Sequence, residues 1–164
     1  MKLLFLRHAK ALNREEFMDD DLLRPLTNKG IKISKEFFKK ISNIFDIDII
    51  ISSKATRAYQ TAKILQQFYP NVPLKTTRLL NPGATFFDIK TIIDDHKEYE
   101  KIVLVGHEPD FSEAIAKILG CSFLSIDIKK SSFIELEGDS LDNLELKSFI
   151  HPKIFINKKQ KSEL

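Results

Sequence analysis

The run Leu3–Leu6 (Leu-Leu-Phe-Leu), followed directly by Arg7 and His8, decides the fold. Four consecutive apolar residues bounded by polar ones indicate a strand that is buried on both faces, as in parallel sheets. Two further apolar runs, Ile47–Ile51 and Lys101–Val105, lie along the chain with helical patterns between them. Strands that alternate with helices are typical of α/β domains. We therefore predict a three-layer α/β/α domain with a mostly parallel central sheet.

The helices and the edges of the sheet also have sequence signals. Four polar residues that precede amphipathic patterns are predicted to cap helices: Thr27, Ser53, Thr85 and Asp110. The first helix is predicted to bury a stripe at helical spacing: Ser34, Phe37, Phe38, Ile41, Ile44 and Phe45. Pro73 places the strand Val72–Thr77 at an edge, because proline cannot donate to a neighbouring strand. Ser132–Leu136 and Leu144–Ile150 predict a final hairpin that adds an antiparallel edge.

Length and charge exclude several classes of protein. The 164 residues correspond to one domain, predicted over residues 1–156, and the polar, Lys-rich tail over 157–164 is expected to be disordered. The net charge is +3, and the three Lys and one Glu of that tail supply +2 of it. A nearly neutral domain does not favour nucleic-acid binding. The amino-terminal apolar run is too short for a signal peptide, and no run approaches a membrane span. The single cysteine, Cys121, forms no intrachain disulfide, so we expect a cytoplasmic protein.

Polar clusters follow three of the predicted strands directly. These clusters are Arg7 with His8, the segment Ser52–Arg57, and Gly106 with His107. Ligands of open α/β sheets bind outside the carboxyl ends of the strands. If the three strands are parallel, two arginines and two histidines converge at one edge of the sheet, where we predict the functional site.

This set of side chains suits a phosphoryl group. Arginine presents a planar fork of donors that matches phosphate oxygens. A neutral imidazole can attack phosphorus, and its second ring nitrogen then needs an acceptor such as a backbone carbonyl. The helix amino termini expected near Ser53 and Asp110 would add backbone donors. The four histidines show no metal-ligand spacing.

Several motifs resemble those of a known family. Leu6-Arg7-His8-Ala9 resembles the Arg-His-Gly signature of the histidine phosphatase superfamily, the phosphoglycerate mutase-like group, with Ala9 in place of the usual glycine. Three further motifs resemble its SixA-type branch of phosphohistidine phosphatases: Arg24-Pro25-Leu26-Thr27, Ser52-Ser53-x-x-x-Arg57-Ala58-x-Gln60-Thr61 and Val105-Gly106-His107-x-Pro109. The resemblance extends from the first strand to about Leu119 and implies a phosphoglycerate mutase-like fold.

The resemblance also implies a role for each matching side chain. His8 attacks phosphorus and is transiently phosphorylated, while Arg7 and Arg57 bind the phosphoryl oxygens. His107 donates a hydrogen bond to the phosphoryl group, as an imidazolium in the loaded site. Water then hydrolyses the phosphoenzyme, and no metal or organic cofactor is implied. Arg24 has two interpretations, an additional contact to the substrate or a loop arginine that pairs with a nearby aspartate.

The sequence also bears on the leaving group. No Asp or Glu lies between Val72 and Phe87, where the larger mutases and acid phosphatases of the family carry a carboxylic general acid. The loss of such an acid is expected to slow the cleavage of phosphate esters by about 10²- to 10⁴-fold. Imidazole, with a pKa of about 6.5, departs more easily. The pattern therefore favours phosphohistidine as substrate, unless Glu108, Asp88 or the run Asp19–Asp21 supplies an acid.

We predict a phosphohydrolase that removes phosphate from phosphohistidine in a protein, such as a histidine phosphotransfer domain of a signalling relay. The short chain leaves no room for the lid insertions of larger relatives, so the site is expected to be open enough for a protein. One alternative is a phosphatase for a small phosphoester such as a sugar phosphate or a nucleotide. Another is a phosphoprotein-binding module without turnover.

Overall fold

A computed structural model describes residues 1–155, so the predicted tail over 157–164 lies outside the described residues, and the predicted boundary of the domain stays a prediction. One sheet contains six strands: β1 (Lys2–Arg7), β2 (Ile49–Ser53), β3 (Leu74–Thr77), β4 (Lys101–Gly106), β5 (Phe133–Gly138) and β6 (Leu144–Ile150). The described part of the chain has four α-helices: α1 (Asn28–Ile41), α2 (Thr56–Gln66), α3 (Phe86–Asp94) and α4 (Asp110–Ile118).

The strand order β3-β2-β4-β1-β5-β6 brings the carboxyl ends of the central strands together. β1 to β4 run parallel, whereas β5 is antiparallel to both β1 and β6. In the register between β1 and β4, Arg7 lies opposite Gly106. The strand predicted over Val72–Thr77 is β3, which begins only at Leu74 and lies at one edge, and the final hairpin forms the other, antiparallel edge. The predicted mostly parallel sheet is therefore confirmed.

The apolar run that decides the fold is buried on both faces of the sheet. Leu4 and Leu6 pack beneath α1 and α2, and Leu3 and Phe5 pack beneath α3 and α4. All four side chains have no exposed surface. The three-layer α/β/α architecture is thereby confirmed, since each face of the sheet requires its own layer of helices.

Two of the four predicted caps are correct. The Thr27 hydroxyl accepts from the N–H of Gly30, and Thr85 forms a capping box with Asp88. The prediction for Ser53 is wrong, because β2 extends through this residue and α2 begins only at Thr56.

Asp110 is also not a cap, and the stripe of α1 is shorter than predicted. Asp110 is the first residue of α4, and its carboxylate accepts from the N–H groups of Gly83 and Ala84 instead. Because α1 ends at Ile41, Ile44 falls outside the stripe and is 55% exposed.

No helix within residues 1–155 is both long and apolar enough to cross a membrane.

Candidate active site

His8 follows β1 directly and is only 4% exposed. Its backbone N–H donates to the carbonyl of Gly106 at 3.0 Å, which fixes it against the end of β4. Its ring Nδ1 lies 2.7 Å from the carbonyl oxygen of Ala9. A carbonyl oxygen only accepts, so Nδ1 carries the proton and Nε2 keeps a lone pair. This is the tautomer that a nucleophilic histidine needs.

His107 lies beside His8 and is oriented by the second strand. The centroids of the two rings are 5.2 Å apart. Nε2 of His107 lies 2.9 Å from Oγ of Ser53, whose hydroxyl donates to Oδ1 of Asn81 at 3.0 Å. Oδ1 of Asn81 also accepts from the backbone N–H of Lys54, which settles the orientation of this amide. The proton of Ser53 is therefore engaged, and His107 must donate to Oγ from Nε2. Its Nδ1 is buried and has no partner.

Arg57 is the second residue of α2 and is 4% exposed. Its guanidinium is held by Asp21, with Nη1 donating to the backbone carbonyl at 2.7 Å and Nη2 lying 3.1 Å from Oδ2. The hydroxyl of Thr61 ties this helix to β1, because it donates to the carbonyl of Arg57 and accepts from the N–H of Ala9. Arg57 is therefore fixed in position relative to His8.

Arg7 is anchored by the segment that precedes β5. Its Nη1 donates to the carbonyl of Ile128 at 2.5 Å, and its own carbonyl accepts from the N–H of Ser131. The pairing of Leu6 with Phe133 explains this contact, since the start of an antiparallel strand lies beside the end of its neighbour. The Nε atom of Arg7 is buried without a partner.

The unpartnered polar atoms are concentrated in this site. Within residues 1–155, the buried side-chain nitrogen and oxygen atoms without a hydrogen-bond partner are Arg7 Nε, Arg57 Nε, His107 Nδ1 and Ser132 Oγ. Three of them belong to predicted site residues. Buried polar atoms are normally paired, so an unpaired set in one place indicates a binding site for a polar ligand.

Burial and positive charge keep both histidines neutral. Burial lowers the pKa of His8 to about 2, and the charges of Lys130 and His107 add to this effect. Burial lowers the pKa of His107 to about 3, and Arg57 and Lys130 act in the same direction. At neutral pH the site therefore combines neutral imidazoles with cationic side chains, an electrostatic environment that favours a bound anion.

Lys130, which was not predicted, lies beside the candidate site, because the next residue, Ser131, donates its N–H to the carbonyl of Arg7 at 3.1 Å. It is an exposed residue overall, yet the protein around its ammonium desolvates it and lowers its pKa to about 8, with Arg7 and Arg24 contributing. It lies just before β5, and no motif marks it. A signal was available in principle, because residues before an antiparallel neighbour of β1 must lie near the end of β1.

Arg24 and Asp21 form one unit with Arg57. Nε of Arg24 donates to Oδ1 of Asp21 at 2.8 Å, and Nη1 donates to the carbonyl of Leu12. Burial raises the pKa of Asp21, but the hydrogen bond from Arg24 and the charge of Arg57 outweigh it, so the pKa lies below its usual range. The pairing expected of a loop arginine is thus present, and a contact of Arg24 with substrate stays a prediction.

The carboxyl groups considered as general acids differ in their surroundings. Hydrogen bonds from Thr85 lower the pKa of Asp88, and Asp21 is ion-paired. Burial instead raises the pKa of Glu108, although the N–H of Ser112 donates to it at 3.2 Å. Glu108 is the one of these three whose environment favours the protonated form.

No group of three or more His, Cys, Asp or Glu side chains in the described part of the chain could hold a metal ion.

Comparisons with known proteins bear on the family and the fold of this chain. The model of the histidine phosphatase superfamily (branch 1) matches residues 3–81, which include Arg7, His8 and Arg57. An uncharacterized protein of Picosynechococcus sp. (strain PCC 7002) is 30% identical over 142 residues, which cover 84% of this chain and 86% of that protein.

Solved structures with similar folds include phosphatases for different substrates. The protein histidine phosphatase SixA complexed with tungstate has a TM-score of 0.83 at 18% identity, over 95% of this chain and 100% of that one. A protein from Agrobacterium tumefaciens described as a phosphohistidine phosphatase SixA has a TM-score of 0.80 at 22% identity, over 92% of this chain and 97% of that one. A mutant phosphoserine phosphatase from Entamoeba histolytica in complex with phosphoserine has a TM-score of 0.71 at 15% identity, over 94% and 99%.

Fold and family model together define the class of this protein, which is that of the phosphatases. The chain belongs to the histidine phosphatase superfamily, branch 1. Its fold is the phosphoglycerate mutase-like α/β fold that SixA shares.

Binding of sulfate is expected to be accompanied by proton uptake at His107. Nδ1 of His107 carries no proton in the empty site and must gain one to donate to an anion, and a bound dianion raises the pKa of a neighbouring imidazole. Uptake should grow as the pH is lowered from about 7 to about 5. Calorimetric titration with sulfate in two buffers of different ionisation enthalpy measures it. The variant His107→Asn should lose the uptake, and sulfate binding by the wild type without any uptake would contradict this assignment.

Proposed function

We propose that this chain removes phosphate from phosphohistidine in a protein, through a covalent phosphohistidine on His8. The observation that supports this most strongly is the set of unpartnered atoms Arg7 Nε, Arg57 Nε and His107 Nδ1 near His8, a histidine whose Nε2 carries the lone pair. A phosphoryl group would engage all of them. A phosphorylated histidine phosphotransfer domain of a cytoplasmic signalling relay is the substrate that we propose.

The reaction has two displacements at phosphorus. In the first, Nε2 of His8 attacks, the P–N bond of the substrate breaks, and the electron pair of that bond leaves with the substrate imidazole, which gains one proton from solvent. In the second, a water molecule attacks phosphorus, the P–Nε2 bond breaks, and the proton of the water is carried away by phosphate or solvent. His8 returns to its starting tautomer because the carbonyl of Ala9 holds Nδ1–H throughout.

The other side chains stabilise the charge of the transferred group. Arg7 and Arg57 are fixed by hydrogen bonds to backbone carbonyls, so their donors need no rearrangement when the phosphoryl oxygens arrive. Preorganised donors of this kind typically contribute about 10²- to 10³-fold to turnover. His107 becomes a donor to the same group once it is protonated at Nδ1.

The choice of substrate depends on the leaving group. The segment between Val72 and Phe87 carries no carboxyl side chain of its own. Its loop is instead held by side chains from elsewhere, with Asp110 accepting from the N–H of Gly83 and Ala84. Without a general acid, the site is better matched to an imidazole leaving group than to an alkoxide.

A second candidate function is hydrolysis of a small phosphoester. The observation in its favour is Glu108, which follows His107 directly and has a pKa raised by burial. A raised pKa makes a carboxyl group hold its proton more readily, and beside the site such a group could donate a proton to an ester oxygen.

Phosphate release from three substrates tests the proposal: a phosphohistidine protein, a phosphoserine peptide and a sugar phosphate at equal concentration. We expect rapid release from the phosphohistidine protein alone and its loss in His8→Ala, because the nucleophile is then absent. Faster release from the sugar phosphate would contradict the proposed substrate. Release from none of them, with retained binding of the phosphoprotein, would instead indicate a binding module.

The variant Glu108→Gln separates the two enzymatic candidates. If the substrate is phosphohistidine, kcat for the phosphohistidine protein should change less than about tenfold, because the departing imidazole takes its proton from solvent and not from Glu108. If Glu108 is a general acid for an ester, kcat for the best phosphoester should fall by about 10²- to 10⁴-fold. Steady-state kinetics of wild type and variant on both substrates, with circular dichroism as a control for folding, distinguish these results.

A further inference from the structure

A groove lined by lysines adjoins the candidate active site. Its cavity has a volume of about 180 Å³, and its cationic lining comes from five residues: Lys10, Lys29, Lys129, Lys130 and Lys153. His151 also lines it, and no aspartate or glutamate does so in the part of the chain that the structure describes. We call it the lysine groove.

The fold builds this groove from segments that are distant in sequence. Lys10 follows β1, Lys130 precedes β5, and Lys153 follows β6. The floor is tight, because a Cβ on Gly30 would lie 2.2 Å from the carbonyl oxygen of Lys10. The first turn of α1 is thus pressed against the loop that follows His8, and the groove has a fixed shape.

The charge of the groove is only partly neutralised by the chain itself. Lys129 is ion-paired with Asp127. Burial lowers the pKa of His151, and the charges of Lys153 and Lys129 add to this, so His151 contributes a neutral ring. Its Nδ1 accepts from the backbone N–H of Lys153 at 3.0 Å. The wall of the groove is mainly apolar, formed in part by lysine stems, and Lys10, Lys130 and Lys153 make no ion pair within the residues that the structure describes, so their ammonium groups give this region an excess of positive charge.

The lysine groove adjoins the catalytic centre, because Ser131, which lines the groove, donates its backbone N–H to the carbonyl of Arg7 at 3.1 Å. Lys130 lines the groove and also acts on His8 and His107 through its charge. Lys10 lies two residues after His8. A substrate whose phosphoryl group is bound by Arg7 therefore presents its neighbouring groups to the groove.

We propose that the lysine groove binds acidic side chains that flank the phosphohistidine of a protein substrate. This inference rests on the proposed function. Lysines are point charges on flexible stems that accept carboxylates in many geometries, whereas the phosphoryl group calls for the rigid forks of Arg7 and Arg57. Several ammonium groups around one concave surface fit an extended acidic segment, and they also attract it during encounter.

Two peptides of equal length test this proposal, each with one phosphohistidine. One has glutamates at the flanking positions and the other has glutamines. At low salt, kcat/KM of the wild type is expected to be about tenfold higher for the glutamate peptide. The preference should shrink as salt is raised from about 50 to about 300 mM, because salt screens exposed charges.

Variants that reverse the charge of lysines in the lysine groove test whether the preference for the glutamate peptide arises there. The double variant Lys10→Glu/Lys153→Glu is expected to lose the preference for the glutamate peptide, and its activity on the glutamine peptide checks that it has folded. Lys90→Glu is the matched control, because Lys90 lies in a separate groove with Met1 and Glu100 at the amino end of β1. It should keep the preference.

Several outcomes would overturn the inference. Equal kcat/KM values for the two peptides, or a preference that survives in the double variant, would leave the proposed function intact and exclude acidic docking in this groove. A sugar bisphosphate hydrolysed faster than both peptides, with its advantage lost in the double variant, would assign the groove to a second phosphate. Hydrolysis of neither peptide would overturn the proposed function and this inference with it.

Discussion

The parallel register between β1 and β4 is the constraint on which the site depends. It places Arg7 opposite Gly106. The residues that follow them, His8 and His107, are both histidines. The bond from the N–H of His8 to the carbonyl of Gly106 continues the ladder by one step and holds the two rings 5.2 Å apart. A slip by one residue would turn every side chain of β1 to the opposite face and separate the pair. In this register all four side chains of Leu3–Leu6 are fully buried.

The chemistry follows from placing neutral rings among cations. Burial and the neighbouring charges keep His8 and His107 unprotonated, so one can serve as nucleophile and the other can gain a proton when an anion arrives. Asp21 neutralises part of the positive charge through Arg57 and Arg24. The buried Nε atoms of the two predicted phosphoryl-binding arginines have no partner within the described chain. The phosphoryl group of the proposed substrate would supply both the missing acceptors and the missing negative charge.

Much of this arrangement could be predicted from the sequence. The features that could not be predicted depend on contacts between residues that are far apart in the chain. Apolar runs followed by Arg7, His8 and His107 predicted parallel strands and the polar groups at their ends, because strand burial is a local signal. Ser53 was predicted as a helix cap, and its contact with His107 was missed. That contact joins residues 54 positions apart, so no local pattern indicates it. The lysine groove depends on the antiparallel return of β5 and β6, which brings Lys130 and Lys153 to Lys10. The net charge of the sequence does not show that these lysines lie together in the folded chain.

The central claim is that His8 carries the phosphoryl group between two displacements. Mixing the enzyme with a ³²P-labelled phosphohistidine protein, stopping the reaction in alkali within milliseconds and digesting the chain tests it directly. Alkali preserves phosphohistidine, and the label is predicted on the peptide that contains His8, rising and then decaying as phosphate is released. Release of labelled phosphate with no labelled enzyme at any time, or label on a peptide without His8, would contradict the account.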